Sequence, residues 1–439
     1  MNIVNDNRTK LLMKNVILSF FVKGWSAVVV LLMVPLTLKM LGEYSNGVWL
    51  TISSILIWVD VMDIGLGNGL RNAVAEYIAK GDKEKVREAV SSTFFMLTVI
   101  VVPVLLLFCI LIWTIDMYGA LGVDSGIIPN LPAVLTVALS ITFSTFILKA
   151  VGNFYMGLQL PAINNLIVCI GQTLALLFTF IAWMADCHSL MVVVLVNTLA
   201  PLLTWACSIP YTFLKKYPQY APSLHLINPK LARNLCNTGV QFFVIQICGV
   251  VLFMTTNIII SKVFTPAEVT PYQVAYRYFH IAFVIFSIIC MPFWNATTDA
   301  YAKGDIIWMK QASRKLNLLM LIIAVALVLM YVISDVVYDI WVGQGVEIPH
   351  ELSASVAIYI FIICLSQRYS FILNGINVLR IQIAFTAIAA VTFLPLAWFV
   401  CKSYGTVTSL VVVMCIVNTP GMFANMWKYN RVIYHKKTS

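Results

Sequence analysis

Val101–Ile112 reads VVPVLLLFCILI, a stretch with no side chain that water would hold. Leu316–Tyr331 and Val407–Val417 are nearly as apolar. In hydrocarbon the backbone must satisfy its own hydrogen bonds, so such runs cross a bilayer as helices. The rest of the chain agrees: 61% of its 439 residues are apolar and 10% are charged. Its mean hydropathy is +0.92, whereas a soluble domain carries about 25% charged residues. The sequence therefore predicts an all-α membrane protein.

Working outward, we place about twelve spans at 15–40, 46–68, 91–114, 131–157, 163–185, 189–213, 238–262, 272–296, 316–340, 353–374, 380–401 and 405–427. Each supplies the ~20 residues that a crossing requires. The basic residues fall on alternate loops. One side holds 23 of the 28 lysines and arginines, from Arg8 through Lys80, Lys83, Lys85 and Arg87 to Lys437. The other side has only Lys39, Lys262 and Lys402, with Asp116, Asp124, Asp186, Glu347 and Glu351 in its loops. The positive-inside rule then puts both termini in the cytoplasm. The net charge of +10 reflects topology, with anionic headgroups of membrane lipids and not nucleic acid as the partner. The basic start and long first apolar run, interrupted by Lys23, read as a retained span, because no cleavage signature follows.

The chain is built twice. Asn72–Val90 (NAVAEYIAKGDKEKVREAV) aligns without gaps on Asn295–Ser313 (NATTDAYAKGDIIWMKQAS), an offset of 223 residues, with seven of nineteen positions identical. Each copy follows the second span of a six-span half. We therefore expect two six-helix lobes, 1–220 and 221–439, running in the same direction across the membrane. Such halves are related by an axis along the membrane normal, with a substrate site between them. Within each copy, Ala-Lys-Gly-Asp (79–82 and 302–305) puts a glycine where one short cytoplasmic helix stops and an aspartate where the next begins.

Charges inside spans carry the functional reading, because an ionisable group there normally faces protein or water and has a partner. Ser19, Lys23 and Ser26 follow i, i+4, i+7 spacing and form one polar stripe on span 1. Asp60 lies at a similar depth in span 2, and Asp63 sits nearer the cytoplasmic face. Lys23 is read either as a cation facing a cavity or as a buried partner of Asp60. The two aspartates are candidates for ion coupling, and Asp63 equally for a helix cap. In span 8, Gln273, Arg277 and His280 share a face, flanked by Tyr276 and Tyr278. Arg277 either lines a cavity or snorkels to the outer interface. Arg368 and Lys149, closer to cytoplasmic ends, are expected to snorkel. Tyr276, Tyr278 and Trp294 are candidates to stack on sugar rings or to anchor at the interface.

Several classes are excluded. The ten cysteines show no CxxC or Cys/His metal spacing. There is no GxxxxGK[ST] loop to bind nucleoside triphosphate. No loop is long enough for a soluble catalytic domain. The chain is thus read as a non-enzyme that needs no cofactor.

One further pattern brings in a family. Leu41-Gly42, Tyr44 and Gly47-Val48-Trp49-Leu50-Thr51 lead to Asp63-Ile64-Gly65-Leu66-Gly67-Asn68-Gly69 and then to Ala79-Lys80-Gly81-Asp82. This series, with Tyr272, Val274, Ala275, Tyr276 and Arg277, resembles the Wzx-type polysaccharide (O-antigen) flippases of the multidrug/oligosaccharidyl-lipid/polysaccharide exporter superfamily. The resemblance implies a V-shaped exporter of two six-helix lobes in the bacterial inner membrane. It implies alternating access and, as cargo, an undecaprenyl-pyrophosphate-linked oligosaccharide. It also implies a polysaccharide polymerase and chain-length machinery as partners, and substrate contacts at Lys23 and Arg277. A cation-coupled multidrug exporter on the same scaffold is the alternative, and a polytopic enzyme of glycan assembly a more distant one.

Overall fold

A computed structural model describes the chain except residues 1–2, 62–65, 232–254, 303–304, 344, 377, 379 and 435–439. Among the described residues every regular element is helical. Ten helices among the described residues are long and apolar enough to cross a membrane. One of these, Phe21–Val59, spans 39 residues and takes in most of the two first expected spans. They join without a loop inside α1 (Ile3–Val61), where only Gly42, at φ +72°, leaves helical geometry. That backbone region is nearly closed to other residues. Span 7, expected at 238–262, lies outside the described residues up to 254, and residues 255–263 are helical.

The chain forms two compact units, Met1–Ile247 and Cys248–Ser439. In the first, α2 (Leu66–Ala79), α3 (Lys83–Thr114) and the short α4 (Met117–Leu121) follow α1. Then come α5 (Leu131–Leu148), α6 (Ala150–Gly157), α7 (Pro161–Met184) and α8 (Leu190–Pro210). Helix α7 packs between α1 and α8, and α8 also packs on α5. An aromatic core of Phe154, Tyr155, Phe213, Tyr217 and Tyr220 packs at the end of the unit that carries Lys216. The segment beyond it is stapled to α3. Arg87 Nε donates to the Ala221 carbonyl at 2.7 Å, and Asn228 Nδ2 donates to Glu88 Oε1 at 2.6 Å. The Ser91 and Ser92 hydroxyls accept from the Ser223 and Asn228 amides.

The second unit holds α9 (Val269–Ala302), α10 (Ile306–Val332), the short α11 (Ser334–Trp341), α12 (His350–Gly375), α13 (Arg380–Tyr404) and α14 (Val407–Tyr434). Helix α12 is central and packs on α9, α10 and α14.

The repeated Ala-Lys-Gly-Asp sequence builds an elbow. Gly81 takes φ +74° at the end of α2, and the Asp82 carboxylate accepts from the Lys85 amide at 3.0 Å. In the second copy Asp305 accepts from the Trp308 amide at 2.9 Å. In the first copy the hydrogen bond from the Lys85 amide, with the Lys85 ammonium nearby, holds the Asp82 carboxyl below its usual range. Just before the turn, Glu76 and Lys80 pair one helical turn apart. One expectation is corrected. The second copy has no separate short helix, because residues 295–302 are the last turns of α9. The first copy carries Gly65, Gly67 and Gly69, whereas α9 contains no glycine and stays helical past Pro292.

Candidate functional site

Helix α9 carries the polar set in the second unit. Tyr272, Tyr276 and His280 recur every four residues and therefore lie above one another along the helix. Their rings stack, Tyr272 on Tyr276 at 5.9 Å and Tyr276 on His280 at 5.2 Å between centroids. Phe283 extends the column at 5.2 Å from His280. Tyr272 is buried and anchors the column, while Tyr276 and His280 are half-buried. Gln273 Nε2 donates to Asn257 Oδ1 at 2.7 Å, tying α9 to the preceding helical segment. A bond of this kind between spans contributes about 1 kcal/mol.

Arg277 stands beside this column, eight residues into α9, which is about 12 Å along the axis. It is half-buried. Among the described residues no carboxylate lies within ion-pair distance of its guanidinium, and none offers it a hydrogen bond. Its five N–H donors are thus available to an anionic or polar ligand. Tyr278, by contrast, is a structural residue. It is buried, its hydroxyl donates to the Met330 carbonyl at 3.1 Å, and its ring meets Tyr338 edge-on at 5.5 Å. The Trp294 side chain lies outside the described residues.

In the first unit Lys23 is exposed and Ser26 half-buried on the same helix. Between them Trp25 Nε1 donates to Thr173 Oγ1 at 3.0 Å and fixes α1 against α7. Ser19 and Asp60 are helical, with side chains outside the described residues, and Asp63 lies outside them altogether. The expected pairing of Lys23 with Asp60 therefore falls outside the described residues as well. No group of three or more His, Cys, Asp or Glu among the described residues has metal-binding geometry.

Arg368 corrects the sequence reading. It does not snorkel, being only 4% exposed in the core of the second unit. Its Nη2 donates to Ser313 Oγ at 2.9 Å and to the Ser313 carbonyl at 3.4 Å. The guanidinium lies 4.4 Å from the Tyr369 ring centroid and 5.9 Å from that of Tyr429. One arginine thus links α10, α12 and α14. Its depth, seven residues before the end of α12, was legible. Its partner, 55 residues away on another helix, was not.

No protein-family model matches the chain. Curated relatives cover most of it. A Salmonella typhi protein named as an O-antigen transporter is 21% identical over 389 residues, 86% of each chain. A Salmonella typhimurium protein of the same name is 22% identical over 84% of each. A Yersinia pseudotuberculosis protein named as an O-antigen export protein is 19% identical over 85% of each. Among solved structures, the inward-facing conformation of a multidrug resistance MATE family transporter of the MOP superfamily matches with a TM-score of 0.76. It is 15% identical and covers 96% of both chains. An outward-facing MATE structure matches at 0.64, with 14% identity over 98% of this chain and 96% of that one. The resemblance first carried by residues 41–90 and 272–277 therefore extends over most of the chain, and the fold is that of MATE transporters.

Proposed function

We propose that this chain, a multi-pass membrane transporter with a MATE-like fold, is a flippase for a lipid-linked oligosaccharide. It carries an undecaprenyl-pyrophosphate-linked glycan from the cytoplasmic to the outer leaflet of a bacterial inner membrane by alternating access between two six-helix lobes. Both termini lie in the cytoplasm, and the product feeds a polysaccharide polymerase and chain-length machinery. The observation that carries this reading is Arg277, an intramembrane cation with no carboxylate partner among the described residues beside a column of stacked rings. The relatives named as O-antigen transporters supply the cargo class.

The physics suits that cargo. A pyrophosphate and several sugars cannot enter hydrocarbon without a large desolvation cost, while the polyprenyl tail is at home there. Lys23 and Arg277 each offer charge-assisted hydrogen bonds to phosphate oxygens. Tyr276 and His280, with Gln273, Ser19 and Ser26, present aromatic and hydroxyl or amide groups of the kind that bind sugars. With the cell interior negative, outward movement of phosphate charge is favoured by ~2.3 kcal/mol per charge per 100 mV.

The test is export in the source bacterium lacking its own copy. Arg277→Ala and Lys23→Ala are expected to lower surface polysaccharide while protein abundance stays at the parental level. Lys23→Arg is expected to keep more activity than Lys23→Ala, because charge matters more than shape for a mobile headgroup. Parental export by both Ala variants would remove these cations from the substrate path. If Lys23→Ala instead lowers abundance and Asp60→Asn restores it, Lys23 is a structural partner. The MATE fold favours a second reading, a cation-coupled drug exporter working through Asp60 or Asp63. Loss of the gene would then raise drug susceptibility and leave the glycan unchanged.

A further inference from the structure

Helices α1 and α7 leave a groove of about 450 Å³ between them. Leu32, Pro35 and Leu36 form one wall, and Leu177, Phe180 and Trp183 the other. Pro35 stands inside α1, where its ring removes a backbone donor and loosens the local helix. The groove runs from Thr173 to Trp183, about 15 Å along α7. One end is closed by the Trp25–Thr173 hydrogen bond, and the other carries Lys39. Leu32, Leu177 and Phe180 are all more than 40% exposed, so the walls are open to a partner.

Lys39 makes this more than an apolar seam. By the distribution of charge it is one of three basic residues on the outer side, where a lysine opposes the orientation that the other loops set. Lys402, another of the three, lies 5.1 Å from the Trp398 ring centroid on its own helix. Lys39 instead stands at the mouth of a groove that holds nothing polar deeper than the Thr173 hydroxyl.

We propose that this groove binds the polyprenyl chain of a polyprenyl phosphate or pyrophosphate on the outer-leaflet side, with Lys39 on its phosphate. The proposal rests on the flippase reading above and extends it from the headgroup to the tail. In a bilayer every lipid tail already has apolar surroundings, so the groove gains no hydrophobic transfer energy by choosing one. Selection falls to shape and to the headgroup. A phosphate monoester carries about −1.5 to −2 charges at neutral pH, and a phosphodiester phospholipid carries a single charge. Lys39 therefore favours the polyprenyl phosphate over phosphatidylglycerol.

The test is photolabelling of the purified full-length protein in nanodiscs with a benzophenone-bearing polyprenyl phosphate, followed by peptide mapping. The label is expected in residues 32–39 and 173–183. Undecaprenyl phosphate should compete about ten-fold better than phosphatidylglycerol, and Lys39→Gln should weaken that competition by about ten-fold, the value of one charge-assisted hydrogen bond. Leu177→Trp, which fills the groove, should abolish labelling there. Should that variant fail to fold, the exposed Lys39→Gln carries the test alone. Equal competition by phosphatidylglycerol overturns the proposal, and so does a label elsewhere or an unchanged Lys39→Gln. Export separates the two readings. A parent chain that exports glycan but is labelled elsewhere loses only the groove. A chain labelled in the groove that exports no glycan keeps this site and loses the flippase reading.

Discussion

Ser313→Ala is expected to destabilise the second unit by about 2 kcal/mol. The Ser313 hydroxyl receives the shortest hydrogen bond of the Arg368 guanidinium, 2.9 Å, whereas the Ser313 carbonyl is left at 3.4 Å. Hydrogen bonds to charged groups contribute roughly 1.5–3 kcal/mol, and a buried charge left short of partners loses that in full. For a unit of this size each kcal/mol moves the midpoint by ~2–4 °C, so Tm should fall by roughly 4–8 °C. Arg368→Lys should cost more, about 3 kcal/mol or above. The ammonium stays charged and buried, yet it cannot reach Ser313 and lie flat on Tyr369 together. Arg368→Met should be close to neutral, because an apolar side chain of similar length removes the need for any partner. Thermal unfolding followed by fluorescence-detected size exclusion, at fixed detergent and salt, gives all three values. If Ser313→Ala shifts Tm by less than 1 °C, or Arg368→Lys is as stable as the parent, the hydrogen-bonded cation is not what holds α10 to α12.

Other outcomes follow from the elbows and the loops. Gly81→Ala meets no neighbouring atom, so its cost is the left-handed backbone alone, about 1–2 kcal/mol; Gly81→Asn should recover part of it in the same unfolding assay. Asp305→Ala removes the cap on the Trp308 amide and should cost about 1 kcal/mol, which the Tm of the variant reports. His188 is held above its ordinary value near 6.5 by the Met40 carbonyl, with Asp186 adding to it. The stabilisation from these two contacts is therefore fully present below the unfolded pKa and is lost as pH rises through the folded one. Asp186→Asn should lower the His188 pKa measured by NMR, and an unchanged titration would remove the pair.

The spans and the elbows were legible because their signals are local. An apolar run of sufficient length dictates a helix wherever it sits, and a Gly-Asp pair between helical segments dictates a stop and a cap. Gly42 shows where local reading fails. A loop between spans 1 and 2 was expected at 41–45, yet a single left-handed residue makes the join. In the second elbow the Ala-Lys-Gly-Asp identity suggested a separate short helix, and the glycine-free α9 runs through it instead. The candidate site divides in the same way. That Gln273, Arg277 and His280 share a face follows from helical spacing. The bond from Gln273 to Asn257, the service of Tyr278 to Met330 and the burial of Arg368 depend on which helices meet, and no window of sequence contains that.

The two arginines of the second unit separate structural from functional charge more sharply than depth does. Both lie inside helices long and apolar enough to span a membrane, and both would be expensive there as bare ions. Arg368 has its charge spread over two hydrogen bonds to Ser313 and two aromatic faces, all from its own unit. Its Nε has no hydrogen-bond partner among the described residues, yet at 4% exposure the guanidinium is closed to a moving ligand, and releasing it would break the packing of three helices. Arg277 has no such set among the described residues. A transporter of the proposed cargo must bind a phosphate in one state and release it in another, which requires a cation that a ligand can reach and that no protein partner holds in place. By that criterion Arg277→Ala should cost transport and spare stability, whereas Ser313→Ala should cost stability first. An Arg277→Ala variant that unfolded like Ser313→Ala would place both arginines in the structural class and leave the second unit without a candidate headgroup contact.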